Sequence, residues 1–552
     1  MKKTAFLIVL FSTVLFSDFL IYAQTYRYTR YWVELKDKKG TPYSIEDANS
    51  FLSQKALIRR GKAGIPIDSS DLPVNPAYIQ QVAQLGIEVL GSSKWLNSLI
   101  VEINDSTQLS ALSNESFVTD IKPVYRIEEE DIPRPVAVRE KKSLVFAHNT
   151  YGAADAQMEL VNGKYLHDKS YTGKGKTIAV LDAGFSGTPE ISAFSDLYAD
   201  NRVSKGGDLV KNSPDIYAKS THGTLVLSVM GGKIDSQFTG AAPDANYVLF
   251  RTENTDSEYP IEEHFWILAA EKADSMGVDI INSSLGYSTF QDTTLNYSYS
   301  DMDGQTTAIT RGATMAAKKG ILVVTSAGNS GSSDWYYITA PADADGVLTV
   351  GAVNTAGDLA PFSSRGPSYD GRIKPDVVGV GWNTALIDQN GDVRKGNGTS
   401  FSAPHISGMA ACLWQAAPDL SSAEMLEVIR QSSDRYHNPD NDYGYGIPNF
   451  GKAYLLALNE GGNGNIKALE ANVFPNPFTD HLNLLMKVEE AETVKVQLVD
   501  YIGRIVFEND WQLEAGVYSE MRMNGIQTLH RGVYFVRIQR EDSWEVVKVL
   551  KL

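Results

Sequence analysis

The chain has 552 residues, 43% hydrophobic and 21% charged, an ordinary folded composition with length for several cores. Fifty Lys and Arg against sixty-seven Asp and Glu leave a formal charge of −17, which repels phosphate backbones and argues against a sequence-independent nucleic-acid binder. One cysteine, Cys412, excludes an intramolecular disulfide and cysteine-based zinc sites.

Residues 1–23 read as a secretory signal peptide. Lys2 and Lys3 precede the apolar run Ala5 to Phe16, and small Ala23 precedes Gln24. Asp18 disfavours an uncleaved anchor, since a carboxylate in mid-span costs about 2.5–3.5 kcal/mol. Residues 24–148 read as a small α+β unit. Tyr31 to Leu35 and Leu99 to Ile103 have strand character, and Ile45 to Arg60 has helical spacing. The acidic run Glu128 to Asp131, with Pro133 and Pro135, is expected to be a linker.

Residues 149–456 change to βα alternation. Apolar strands are expected at Ile178–Leu181, Val278–Ile281 and Ile321–Val324, with helices at Pro260–Ser275 and Thr306–Lys319. Continuous apolar strands separated by helices imply an α/β fold, a parallel sheet covered on both faces. Residues 457–468, containing Asn459-Glu460-Gly461-Gly462-Asn463-Gly464-Asn465, read as a linker. In 469–552 the period becomes two, at Leu482, Leu484, Met486 and again at Val494, Val496, Leu498. Further strands at Val533–Ile538 and Val546–Leu552 complete a small β-sandwich.

In an open parallel sheet, reactive groups gather at the carboxyl ends of strands. Asp182-Ala183-Gly184 follows the first strand of the α/β region, and Ser326-Ala327-Gly328-Asn329 follows the third. His222 precedes a helix-like apolar run. Pro404 suits only a first turn, which places Ser400 at a helix N-terminus. An Asp, a His and a Ser are the parts of a nucleophilic triad, with an Asn amide as oxyanion donor. Each alone is weak: a Ser at a helix start is usually a cap, and a lone His is usually structural. The other seven histidines are taken as structural, and Cys412 as core.

Asp182-Ala183-Gly184, His222-Gly223-Thr224 and Gly398-Thr399-Ser400-Phe401-Ser402-Ala403-Pro404 resemble, in that order, the three signatures of the subtilisin-like serine proteases. The resemblance spans roughly 170–450. It implies Ser400 as nucleophile, His222 as general base, Asp182 as its orienting carboxylate and Asn329 as side-chain oxyanion donor. Ser326, Ala327 and Gly328 resemble the family's oxyanion loop, and Ser284, Leu285 and Gly286 its peptide-binding strand. Two positions depart from the pattern. Ala183 replaces a Ser or Thr, and Tyr287 replaces a second Gly, where a bulky ring is expected to narrow the cleft.

The resemblance further implies an inhibitory pro-domain in 24–148 and protein or peptide substrates. It requires no cofactor for catalysis, and it allows a structural calcium ion without assigning ligands. Asp301-Met302-Asp303-Gly304 has the start of a calcium loop but not its later ligands, so a polar turn is expected. Glu262, Glu263 and His264 are expected to form a solvated helix face. The C-terminal unit, with Val473-Phe474-Pro475-Asn476-Pro477-Phe478 and the terminal Lys548-Val549-Leu550-Lys551-Leu552, resembles the sorting domain read by the type IX secretion system. That implies export through the periplasm to the surface or medium, with the secretion machinery as partner. Two rival readings are a retired protease scaffold used for binding, and an esterase or amidase using the same triad.

Overall fold

The computed structural model describes residues 28–126, 151–460 and 471–551, apart from 218, 475, 479, 489, 517, 541 and 542. The expected signal peptide, the acidic linker at 128–131 and most of the linker at 457–468 lie outside the described residues.

The central sheet is seven-stranded and entirely parallel. Its order is Val377–Val380, Leu348–Val353, Leu322–Ser326, Ile280–Ser283, Thr177–Asp182, Asn246–Arg251, Val203–Asp208. The inner strands are continuous apolar runs because helices cover both faces. On one face Ile178, Val180 and Ile280 pack with the helices His222–Gly231 and Thr399–Ala416. On the other, Ala179, Leu181 and Ile281 pack with Ile261–Met276 and Ala308–Lys318. This fold class is the one the sequence implies.

The N-terminal unit is a four-stranded antiparallel sheet, ordered Glu88–Ser93, Ser98–Glu102, Tyr28–Leu35, Val118–Arg126. Alternation divides its residues between two cores. Val33, Leu99 and Val101 face the unit's own helices through Val82 and Leu112, whereas Trp32, Ile100 and Val124 face Tyr259, Ile261 and Phe265 of the α/β domain. The helix expected at 45–60 is broken. A 3₁₀ turn, Ile45–Ser50, precedes the α-helix Gln54–Lys62, and Ser53 starts the latter by accepting from Ala56 N–H.

Buried charges lock the two domains together. Arg60 Nη2 lies 2.7 Å from Asp274 Oδ2, Arg59 pairs with the other Asp274 oxygen, and Lys319 Nζ lies 3.0 Å from Asp71 Oδ2. Glu271 accepts from Ser93 Oγ and from Lys94 and Trp95 N–H, seating the 93–98 turn on the helix Ile261–Met276. The expected solvated face is overturned. Glu262, Glu263 and His264 are 1%, 0% and 5% exposed: Trp32 of the N-terminal sheet packs on His264, while inside the α/β domain Glu263 accepts from Tyr297 and Ile309 and Glu262 from Asn254.

The helix Phe450–Glu460 runs beyond 456 into the expected linker. After it come a three-stranded sheet (Asn472–Phe474, Leu482–Lys487, Tyr518–Met523) and a four-stranded one (Ile505–Leu513, Glu492–Asp500, Gly532–Arg540, Ser543–Lys551). Leu482, Leu484 and Met486 from one sheet and Val494, Val496, Val536 and Ile538 from the other share a core, which makes a β-sandwich. Among the described residues no helix is long and apolar enough to cross a membrane.

Candidate active site

Asp182 ends a strand and is fully buried. Its Oδ1 accepts from Ala183 N–H at 2.7 Å and lies 2.8 Å from His222 Nδ1. Arg251, itself buried, donates to the Ala183 carbonyl and pairs with Asp208, and Thr252 N–H donates to the Asp182 carbonyl. The acid is therefore held from the neighbouring strand, and no hydroxyl at position 183 takes part.

His222 is the first residue of its helix. The following glycine is forced. A Cβ at Gly223 would stand 2.6 Å from the Gly184 carbonyl oxygen and 2.7 Å from the Phe185 ring. That close approach carries the imidazole to the carboxylate. Burial disfavours the imidazolium, but the charge and hydrogen bond of Asp182 outweigh it, so the His222 pKa is raised.

Ser400 is the second residue of the helix Thr399–Ala416, behind Gly398, whose φ of 149° favours glycine. The ring of adjacent Phe401 lies 6.1 Å from the His222 ring, which brings the start of this helix near His222. Pro404 is the sixth residue of this helix, not in its first turn as expected. Lacking an N–H, it leaves the Ser400 carbonyl without its helical donor, and Ser284 Oγ supplies one at 3.0 Å. Ser400 Oγ in turn donates to the Ser284 carbonyl at 3.2 Å.

Asn329 is exposed in the loop after the strand Leu322–Ser326. Its Oδ1 accepts from Thr399 N–H at 2.9 Å and Thr399 Oγ1 at 3.1 Å. Two donors on one oxygen fix the amide's orientation and leave Nδ2 as the free donor at the Ser400 helix terminus. Gly328 (φ 107°) admits no side chain, because a Cβ would meet Ser364 and Thr339. Ala327 N–H donates to the Val350 carbonyl and Ser326 Oγ to the Leu285 carbonyl, so the loop is tied to the strand beside it.

Ser284 is buried, Leu285 partly so and Gly286 exposed, and the segment ends in a two-way backbone pairing of Tyr287 with Ala340. Thr339 blocks any Cβ at Gly286. The Tyr287 ring does not stand in the cleft as expected. It is 1% exposed, packs near Phe290 and bonds its hydroxyl to Glu253.

Sequence reasoning missed Thr399 as the residue that orients Asn329, although it lies inside the recognised segment. It also missed Glu253 and Glu258, which converge with Glu262 behind Tyr287. Three glutamates in ten residues were the available signal. Burial and then the charge of Glu258 push Glu253 up to about 8, against the hydrogen bond from Tyr287.

Comparison with known proteins places the chain in a family. Residues 173–446 match the Subtilase family, 30–135 the Peptidase S8 propeptide domain of Bacteroidota, and 472–551 the Secretion system C-terminal sorting domain. Serine protease AprX of Bacillus subtilis (strain 168) is 30% identical over 342 residues, covering 56% of this chain and 72% of that protein. Subtilisin E of the same organism is 28% identical over 308 residues, covering 55% and 72%. Among solved structures, MycP1 from Mycobacterium smegmatis aligns with a TM-score of 0.44 at 23% identity, over 57% of this chain and 89% of that one. The chain belongs to the subtilase family of serine endopeptidases, with a propeptide domain before the catalytic domain and a secretion sorting domain after it.

Proposed function

We propose that the chain is an exported endopeptidase that cleaves proteins through an acyl-enzyme on Ser400. The observation that carries the reading is the 2.8 Å approach of His222 Nδ1 to a fully buried Asp182. With Nδ1–H donated to Asp182, the imidazole has its other nitrogen, Nε2, available as the base.

Ser400 Oγ turns its proton from the Ser284 carbonyl to His222 Nε2 and attacks the peptide carbonyl carbon. The oxyanion formed is held by Asn329 Nδ2 and by the Ser400 N–H, a first-turn donor with no helical acceptor. Collapse breaks the C–N bond as His222 returns the proton to the leaving amine. Water, deprotonated by His222, then hydrolyses the ester. The segment Ser284–Gly286, with its exposed glycine, suits an extended peptide laid alongside it. The C-terminal sandwich is the export signal, and the N-terminal domain is removed before the enzyme acts.

The test is labelling by a fluorophosphonate, read by intact mass on processed protein. One adduct is expected, and none on Ser400→Ala. No adduct on folded protein freed of its N-terminal domain would refute the reading and leave a retired scaffold.

A further inference from the structure

Behind the active site, three glutamates converge from a short stretch of chain. Glu253 and Glu258 belong to the loop after the strand Asn246–Arg251, and Glu262 lies in the first turn of the helix Ile261–Met276. One carboxylate oxygen from each lies within 4.8 Å of the other two.

The loop is held in place. Glu262 Oε1 accepts from Asn254 N–H at 2.9 Å, Glu258 N–H donates to the Gln291 side-chain oxygen while its carbonyl accepts from Gln291 N–H, and Tyr287 donates to Glu253 Oε1. These contacts hold the cluster by hydrogen bonds. Glu262 Oε2 is buried and has no partner, on a residue only 1% exposed. A buried carboxylate oxygen with no donor is costly unless a positive group reaches it. Arg251, the basic residue acting on Glu262, spends Nη1 on Asp208 at 2.8 Å and Nε on the Ala183 carbonyl, and its remaining Nη2 is buried without a hydrogen-bond partner, so it makes no bond to the Glu262 oxygen.

We propose that Glu253, Glu258 and Glu262 form a binding site for a calcium-type divalent cation next to the catalytic groups. Calcium takes carboxylate oxygens at about 2.3–2.6 Å, so two of its ligands stand at most about 5 Å apart, and the observed spread fits. An all-carboxylate, all-oxygen set selects a hard cation over zinc or copper. The orphan oxygen is buried, which favours a small cation over a substrate's guanidinium. The Asp301–Gly304 turn is a separate feature: Asp303 spends its oxygens on Gln305 and Thr306.

The site is tested on full-length Ser400→Ala protein, so the result is independent of catalysis and of the protease reading. After chelation and dialysis, calcium is expected to raise the melting temperature. Terbium is expected to give tyrosine-sensitised luminescence through Tyr287, and calcium to quench it. Adding Glu262→Gln or Glu258→Gln is expected to weaken calcium binding roughly tenfold or more, because affinity follows ligand charge. Unchanged calcium affinity in both variants would overturn the proposal by placing the ion elsewhere. No calcium response in chain with a native circular-dichroism spectrum would overturn it too, as would protection of the cluster by an arginine peptide alone.

Discussion

Ser284 and Ser400 bind each other reciprocally: Ser400 Oγ donates to the Ser284 carbonyl at 3.2 Å, and Ser284 Oγ donates to the Ser400 carbonyl at 3.0 Å. The second bond exists because Pro404 cannot donate to that carbonyl. The helix defect four residues downstream thus couples the proposed nucleophile to the strand proposed to hold substrate.

Ser284→Ala is expected to cost about 1–3 kcal/mol, the range for leaving a buried acceptor unpaired. Thermal unfolding measures it. Adding Pro404→Ala restores an amide donor in the helix and is expected to recover part of the loss. Equal stability of Ser284→Ala and the parent would refute the coupling.

Asp182→Asn is expected to lower kcat by about 10⁴-fold, since the amide no longer enforces the required tautomer. The pH profile gives an independent readout. The base must be neutral, and Asp182 holds its pKa above the ordinary imidazole value of 6.5, so the acidic limb of kcat/KM lies above that pH. In Asp182→Asn, burial is opposed only by Glu253, and the limb moves down.

Asn329→Ala is expected to lower kcat by about 10²–10³ with KM little changed, the size known for such a donor in subtilisin. Thr399→Val removes one of the two donors to Asn329 Oδ1 and is expected to cost less than Asn329→Ala. Steady-state kinetics on one peptide substrate orders the two.

His264 predicts an acid sensitivity of the precursor. Trp32 lies over its ring at 4.7 Å between centroids, and burial, then Arg311 and Lys122, depress its pKa to about 3. The folded state thus resists a proton that the unfolded chain accepts at 6.5. Its contribution is complete above pH 6.5 and falls by about 1.4 kcal/mol per pH unit below, down to about pH 3. His264→Phe, with a ring that does not titrate, is expected to flatten the decline of melting temperature between pH 6.5 and 4. The same slope in both proteins would exclude His264 as the cause.

The local structure around the proposed catalytic residues was legible because each is fixed by its immediate neighbours in sequence. Asp182 ends an apolar strand, Gly223 is dictated by contact with Gly184 and Phe185, and Gly398 opens the helix that carries Ser400. The errors share a different origin. Glu262, Glu263 and His264 read as a wet surface because their partners are distant in sequence: Trp32, more than 200 residues upstream, lies on His264, and Tyr297 and Ile309 from beyond the next strand bond Glu263. Tyr287 read as an obstruction, since nothing local shows that Glu253 draws its hydroxyl inward. Ser53 split a helix that periodicity alone joins, because capping competes with the apolar pattern. The strands Ile505–Leu513 and Tyr518–Met523 escaped notice, the first because most of its side chains are exposed and leave no apolar period to detect.

The charges joining Arg59 and Arg60 to Asp274, and Asp71 to Lys319, bear on how the enzyme is switched on. Severing the peptide connection between the domains breaks none of these pairs, so cutting and opening are separate events on separate clocks. The first depends on a protease and the second on water reaching the seam. Once apart, each half keeps fixed charges that the other answers, and the freed fragment returns to its seat faster in dilute salt than in concentrated salt. Ionic strength is therefore expected to set how long a cleaved N-terminal domain stays seated, without touching the proposed catalytic groups.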